Sequence, residues 1–158
     1  MFRIEGLTAG YSAIPVLNGV SIKVEQGQFV AIVGPNGAGK TTLFKTISGI
    51  VRPSAGTITF EGHDLLAIGR GLAGSPKLLM LDEPSMGLAP TIADFIFERL
   101  IEIRRQSNLT ILLVEQRVAE ALESADHGYV LEAGRVALEG NNQTLRADDR
   151  VRKAYLGM

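Results

Sequence analysis

Nine consecutive residues of this chain have the types and order that cradle a phosphate: Gly34-Pro35-Asn36-Gly37-Ala38-Gly39-Lys40-Thr41-Thr42. They fit the pattern G-x-x-x-x-G-K-[ST] and follow Phe29-Val30-Ala31-Ile32-Val33, five apolar or β-branched residues that read as a strand buried on both faces. Gly34, Gly37 and Gly39 let the backbone curl until successive N–H groups around Asn36 converge on one anion. The helix expected to open near Lys40 adds the positive end of its dipole, and its first turn brings Thr42 to the same place. Lys40 is then within reach of the β- and γ-phosphates, and the Thr41 hydroxyl is a ligand for Mg2+. Gly34, Asn36, Gly37, Gly39, Lys40, Thr41 and Thr42 are therefore the candidate residues of a nucleotide-phosphate site.

A second chemical element closes another apolar run. Asp82 follows Leu78-Leu79-Met80-Leu81, at the carboxyl end of a strand, where α/β sheets gather their ligands. A carboxylate there holds Mg2+ opposite Thr41, directly or through water. Glu83, next on the turn, is placed to polarise a water aimed at a γ-phosphate. Taken alone, a strand-ending acid is more often a solvated cap. The phosphate loop upstream reverses that weighting for both residues.

The elements that must position these groups follow from periodicity and turn signals. Residues 2–7 alternate as a half-buried strand, Ala9-Gly10-Tyr11-Ser12 reads as a loop, and Val20-Ser21-Ile22-Lys23-Val24 alternates again. A helix from about Lys40 to Gly49 has Pro53 beyond it, and Thr57-Ile58-Thr59-Phe60 is a further strand. A short helix is expected from Leu65 to about Ala73, weakened by Gly69 and Gly71, and then Leu78–Leu81 as a fully buried strand. Pro90 opens a helix whose apolar side is expected at Ile92, Phe95, Ile96, Leu100, Ile101 and Ile103. Thr110–Val114 is a third buried strand, and a helix over about 117–124 follows. Ala133-Gly134 turns a hairpin between Tyr129–Leu131 and Arg135–Leu138, and 142–156 is helical. Buried strands alternating with helices, and short alternating strands at both ends of the chain, give an α/β fold: a parallel phosphate-loop core with an antiparallel β-subdomain attached.

Bulk properties bound the rest. With 158 residues the chain is one domain by length, large enough to bury a core. Net charge is −1 and the pI about 6.1, so no basic surface for nucleic acid or anionic lipid is expected. The absence of cysteine excludes disulfides and thiolate metal sites and suits a reducing compartment. Residues 1–7 lack the apolar core of a signal peptide, and the apolar runs are strand-sized. A mean hydropathy of +0.17 suits strands covered on both faces. His63 and His127 stand without ligand-spaced partners and are expected to be solvated. The expectation is a cytoplasmic protein.

Gly34–Thr42, Leu78–Glu83 and Pro84-Ser85-Met86-Gly87-Leu88-Ala89-Pro90 together resemble the ATP-binding subunit of an ABC transporter. Leu112-Leu113-Val114-Glu115-Gln116, residues 125–132 and Val151-Arg152-Lys153-Ala154-Tyr155-Leu156-Gly157 narrow the resemblance to the high-affinity branched-chain amino acid importer branch. The resemblance spans nearly the whole chain. It implies an ABC-type P-loop NTPase fold, with ATP and Mg2+ as cofactors. It also implies a second nucleotide-binding subunit and membrane permease subunits as partners, at the cytoplasmic face of the inner membrane. By position, Tyr11 matches the aromatic that stacks on adenine, although a tyrosine there is also a plain packing residue. Asp82 matches the Mg2+-associated aspartate, Glu83 the catalytic base, and Ser85–Leu88 a loop that communicates across a dimer. Gln116 occupies the switch position where most of the wider family has histidine. A glutamine can hydrogen-bond a γ-phosphate but carries no proton at neutral pH, and capping the next helix is the competing role.

The departure from the family weighs as much as the matches. Between the phosphate loop and Asp82 the resembled proteins also carry the Q-loop strand, a helical subdomain and a Leu-Ser-Gly-Gly signature, and this sequence has none of them. Glu61–Leu65 resembles the turn before the Q-loop strand, and Leu66–Leu72 the helix after the signature, joined directly. The chain, 1–158, thus reads as one internally shortened nucleotide-binding domain with a junction near 64–67. In the resembled enzymes the partner subunit supplies the signature over the bound ATP. Losing one well-placed donor in other enzymes costs on the order of a hundred- to thousandfold in rate. ATP binding is therefore expected, while hydrolysis by the chain alone and docking to the permease are in question. Two readings follow: an energy-coupling ATPase subunit impaired by the shortening, or an ATP-binding remnant that at most pairs with a complete paralogue. A small-molecule kinase is disfavoured because no basic lid insertion is present. Removing the Q-loop strand should also leave Leu78–Leu81 as an apolar sheet edge and the chain poorly soluble.

Overall fold

The computed structural model describes residues 1–12, 14–61, 63–64 (backbone) and 77–155. The first strands, β1 (Phe2–Tyr11) and β2 (Ile14–Val24), form a long antiparallel hairpin. With β4 (Pro53–Phe60) and β5 (His63–Asp64) they make a four-stranded antiparallel sheet in the order β2-β1-β4-β5. The hairpin is longer than the alternation suggests: Tyr11 ends a strand and pairs with Ile14, where the sequence reads as loop. Register shifts between Ile4 and Leu7 and around Ala9 break the period of two, which hides the strand from a pattern reading.

The second sheet holds β3 (Phe29–Val33), β6 (Leu78–Asp82), β7 (Thr110–Glu115), β8 (His127–Glu132) and β9 (Arg135–Asn141), in the order β6-β7-β3-β8-β9. The first four are parallel and β9 runs antiparallel to β8. The C-terminal hairpin therefore belongs to the core sheet and not to the attached antiparallel one, because Gly128–Leu131 are buried and β8 occupies the free side of β3.

Alternate residues of β3 face two cores. Val30 and Ile32 meet Phe2, Ile4, Val20, Ile22 and Ile58 of the antiparallel sheet, together with Leu43 and Ile47 of α1 (Lys40–Ile47). Phe29, Ala31 and Val33 meet Phe97 and Leu100 of α2 (Pro90–Ser107), Val118, Ala121 and Leu122 of α3 (Val118–Ser124), Leu145 of α4 (Asn142–Ala147) and Val151 of α5 (Asp149–Tyr155). Tyr129 ties the sheets together: its hydroxyl accepts from the Lys23 N–H at 3.0 Å and donates to the Lys23 carbonyl at 3.2 Å. Burial, and less so Glu139, raises its pKa, with the hydrogen bond to Lys23 opposing. Arg104 fastens α2 to the sheet by a two-pronged ion pair with Asp126, whose Oδ2 also accepts from the Phe29 N–H at 2.8 Å.

Three sequence expectations change. Leu78–Leu81 is half-buried, not fully buried, because among the described residues β6 pairs only with β7. On α2 the buried residues are Ala93, Phe97 and Leu100, while Ile92, Phe95 and Ile103 are exposed. The apolar residues of this helix run wider than the face it packs, so the stripe alone gives the wrong centre. His127 is half-buried against the Tyr129 ring, 5.1 Å between centroids, rather than solvated. The helix expected over 65–73 and, apart from Asp64, the junction at 64–67 lie outside the described residues.

Candidate functional site

The phosphate loop leaves β3 at Gly34, where a Cβ would lie 2.2 Å from the Leu131 carbonyl, so only glycine fits. It enters α1 at Gly39, and the helix start has no side-chain cap and no acidic residue in its first turn. Such an end leaves backbone donors and the positive pole free for an anion. Asn36, Gly37, Gly39, Lys40, Thr41 and Thr42 line a pocket of about 210 Å3 with Val16, Glu83 and Gln116. Lys40 is 4% exposed; its ammonium donates to the carbonyls of Gly34 at 2.8 Å and Pro35 at 3.1 Å, and sits 3.5 Å from Glu83 Oε1. It is thus folded over the loop that it closes.

Glu83 stands on a turn with φ 47°, a left-handed conformation uncommon outside glycine, held by its N–H donating to the Val114 carbonyl at 2.8 Å. Gln116 Nε2 donates to Glu83 Oε2 at 2.7 Å. The Gln116 side chain does not cap α3, whose N-cap position is Arg117. Two loops far apart in sequence therefore meet at one carboxylate that also faces the loop lysine.

Asp82 ends β6, is exposed and does not line that pocket. Its pKa is raised, chiefly by crowding that withdraws its carboxyl from water and then by the Glu83 charge, against the pull of Lys40 and Lys45. A divalent cation would relieve that strain, and the hydroxyl of Thr41 with a carboxylate is a hard-oxygen donor set that suits Mg2+. Among the described residues no three His, Cys, Asp or Glu side chains form a metal cluster. Tyr11 also lies outside the pocket, half-exposed, with the Lys45 ammonium 6.0 Å above its ring.

Sequence reasoning missed two supports of this site. Glu115, 1% exposed, accepts from the N–H groups of Ser85 and Gln116, both at 3.0 Å. Its signal was available: like Asp82, it is an acid that ends an apolar strand. Gly134, in the β8–β9 turn, donates to the Ala38 carbonyl at 2.9 Å and accepts from the Asn18 N–H at 2.8 Å. A Cβ there would lie 1.7 Å from the Val16 carbonyl, so the turn wedges between β2 and the phosphate loop. That contact is tertiary and leaves no local pattern.

A parallel sheet with a glycine-lysine loop at the carboxyl end of β3, the acids Asp82 and Glu83 at the end of β6 and Gln116 after β7 has the architecture of a P-loop cassette. Residues 17–67 match the ABC transporter family. The chain is 30% identical to the high-affinity branched-chain amino acid transport ATP-binding protein BraG of Pseudomonas aeruginosa, over 233 aligned positions that cover 99% of this chain and 100% of that protein. It is 27% identical to the probable branched-chain amino acid transport ATP-binding protein LivF of Archaeoglobus fulgidus, covering 100% of this chain and 99% of that one. In fold it is similar to cbiO1 of Clostridium perfringens, part of the ABC transporter complex cbiONQ, with a TM-score of 0.82 at 22% identity, covering 97% of this chain and 93% of that one. The chain belongs to the ABC transporter family, among its ATP-binding subunits. Because it has 158 residues, at least 75 of the 233 positions aligned with BraG face no residue here.

Proposed function

We propose that the chain is the ATP-binding subunit of a branched-chain amino acid importer, shortened internally near residues 64–67. The observation that carries this reading is the convergence of Lys40, Thr41, Glu83 and Gln116 on one pocket at the carboxyl ends of three parallel strands. The solute class rests on the names of BraG and LivF. In this reading the loop amides and Lys40 bind the β- and γ-phosphates, and Tyr11 stacks on the adenine. The Thr41 hydroxyl and an Asp82 oxygen would hold Mg2+, which would supply positive charge against the phosphates when bound. Glu83 orients the attacking water as its base, and Gln116 donates to the γ-phosphate without taking a proton. The subunit works at the cytoplasmic face of the inner membrane, peripherally and against permease subunits. In keeping with that, no helix among the described residues is long and apolar enough to cross a membrane.

A second reading is favoured by the positions without counterpart in the BraG alignment. In phosphoryl transfer, positioning and charge stabilisation are nearly the whole of catalysis. Without a signature sequence a homodimer has one face of each ATP site missing, and the chain is then an ATP-binding remnant that needs a complete paralogue. Calorimetry with ATP and Mg2+, followed by phosphate release from the purified chain, separates the two. Saturable heat that is lost in Lys40→Ala is expected in both. Turnover abolished by Glu83→Gln supports the working subunit, and binding with no turnover supports the remnant. No heat, and no effect of Lys40→Ala, refutes both.

A further inference from the structure

Glu115 ends β7 with its side chain 1% exposed, and among the described residues no cation pairs with it within 4.0 Å. A buried carboxylate needs other partners, and it finds them in backbone N–H groups. Oε1 accepts from Ser85 at 3.0 Å and Oε2 from Gln116 at 3.0 Å, with Arg117 at a longer 3.5 Å. A cap on α3 would account for Gln116 and Arg117, but not for Ser85, 30 residues away on the turn after β6. Ser85 is itself buried, and two residues before it Glu83 holds its left-handed conformation through the carbonyl of Val114, the neighbour of Glu115. The last two residues of β7 thus grip the turn that carries Glu83 and the start of the loop that carries Gln116.

We propose that Glu115 is a positioning residue. By accepting from both segments at once, it fixes the separation between the Glu83 turn and the Gln116 switch, and so pins the 2.7 Å hydrogen bond from Gln116 Nε2 to Glu83 Oε2. Its importance for nucleotide chemistry rests on the reading of Glu83 and Gln116 as the pair that faces the γ-phosphate. The ties themselves can be read without nucleotide.

The experiment uses the full 158-residue chain, 15N-labelled and nucleotide-free, with the Gln116 side-chain amide assigned by its loss in Gln116→Ala. In Glu115→Ala that amide moves toward the position of a free glutamine. The Ser85 N–H exchanges about ten- to hundredfold faster, as the loss of a hydrogen bond to a charged acceptor implies. Glu115→Gln keeps one acceptor oxygen, so one tie survives and the change is partial. Ile58→Ala, which loosens the core at a buried residue of the antiparallel sheet, lowers Tm and leaves both signals in place. An unchanged Gln116 amide in Glu115→Ala, or an equal shift in Ile58→Ala, overturns the proposal. If Glu115→Ala does not fold, Glu115→Gln decides, and no shift of either signal overturns it. ATP calorimetry on the parent sample keeps the two readings apart: no heat there refutes nucleotide binding, while the amide shifts still report on the ties.

Discussion

Strands β7 and β6 are neighbours, each an apolar run closed by an acid, yet they live in different surroundings. Every residue of β7 is buried, with a strand on each side and a core on each face. β6 forms the edge among the described residues, and Leu78–Leu81 are half-buried. The exposed large apolar residues Met86, Leu88, Ile92 and Phe95 follow β6 directly in sequence. Single exposed leucines are ordinary, but four such residues within one turn and the helix it enters are less so. The difference teaches that neighbouring strands of one site can differ in cover. Strands β3 and β7 are fully packed, whereas the wetted apolar surface gathers on β6 and on the turn and helix that follow it.

The sharpest test of that contrast is a matched pair of truncations. Leu113→Ala in β7 removes a fully buried side chain and is expected to cost about 2–5 kcal/mol in urea unfolding, transfer loss plus cavity. Leu81→Ala in half-buried β6 is expected to cost roughly half as much or less, since water already reaches the site. Equal losses would show that β6 is covered as well as β7. Next in size is Lys40→Ala. The side chain makes three polar contacts in the loop, and exchanging those for phosphate contacts is its proposed role. A loss of about a hundredfold in ATP affinity by calorimetry is expected, with little change in Tm.

Much of the floor was legible in the residues. The five apolar residues of β3, the glycine-lysine turn and the start of α1 each have a local signature, and all three stand where the pattern places them. Strand β7 and the helix opened by Pro90 were legible for the same reason. What failed depended on neighbours. Leu78–Leu81 has the composition of a buried strand, but burial is set by what lies beside it; the edge position among the described residues follows from the missing Q-loop strand and not from composition. The hairpin up to Tyr11 was hidden by register shifts, and the C-terminal hairpin was assigned to the wrong sheet because pairing partners are non-local. At the site, Lys40, Glu83 and Gln116 were foreseen as candidates and do meet. Glu115 carries a local signal, an acid that ends an apolar strand, but its tie to Ser85 spans 30 residues, and Gly134 acts through backbone groups distant in sequence that leave no motif.

Two smaller effects probe the joint between floor and periphery. Tyr129→Phe removes both hydrogen bonds that tie β8 to Lys23, leaving the Lys23 backbone groups to find water or go unpaired. About 1–2 kcal/mol of stability loss in denaturant titration is expected. Phe95→Glu changes a half-exposed ring that lies 4.9 Å from the Arg99 guanidinium. Its effect on stability should stay within about 0.5 kcal/mol, while concentration-dependent association in light scattering decreases. Association unchanged by this charge would place the sticky surface elsewhere, with the β6 edge as the first place to look.

The smallest effect is the most specific to the site. The pKa of Asp82 is raised in the folded chain, first by desolvation and then by Glu83. The folded state therefore binds this proton more readily than the unfolded one, and the contribution of Asp82 to stability is lost as pH rises through the folded-state value. Glu25 and Asp148 have the opposite sign: their lysine and arginine partners lower their pKa values, and their contributions fade as pH falls. A stability profile of the parent chain mixes the two trends, but the difference between the parent and Asp82→Asn isolates one. That difference should grow in favour of the asparagine variant as pH rises above about 4, the ordinary aspartate value, and through the raised folded-state value. Adding Mg2+ with ATP should shrink it, because the cation relieves in the parent chain what the substitution relieves in the variant. A flat difference across that range would mean that the Asp82 carboxyl is no more crowded than a surface aspartate, and the case for a cation beside Thr41 would lose its electrostatic support.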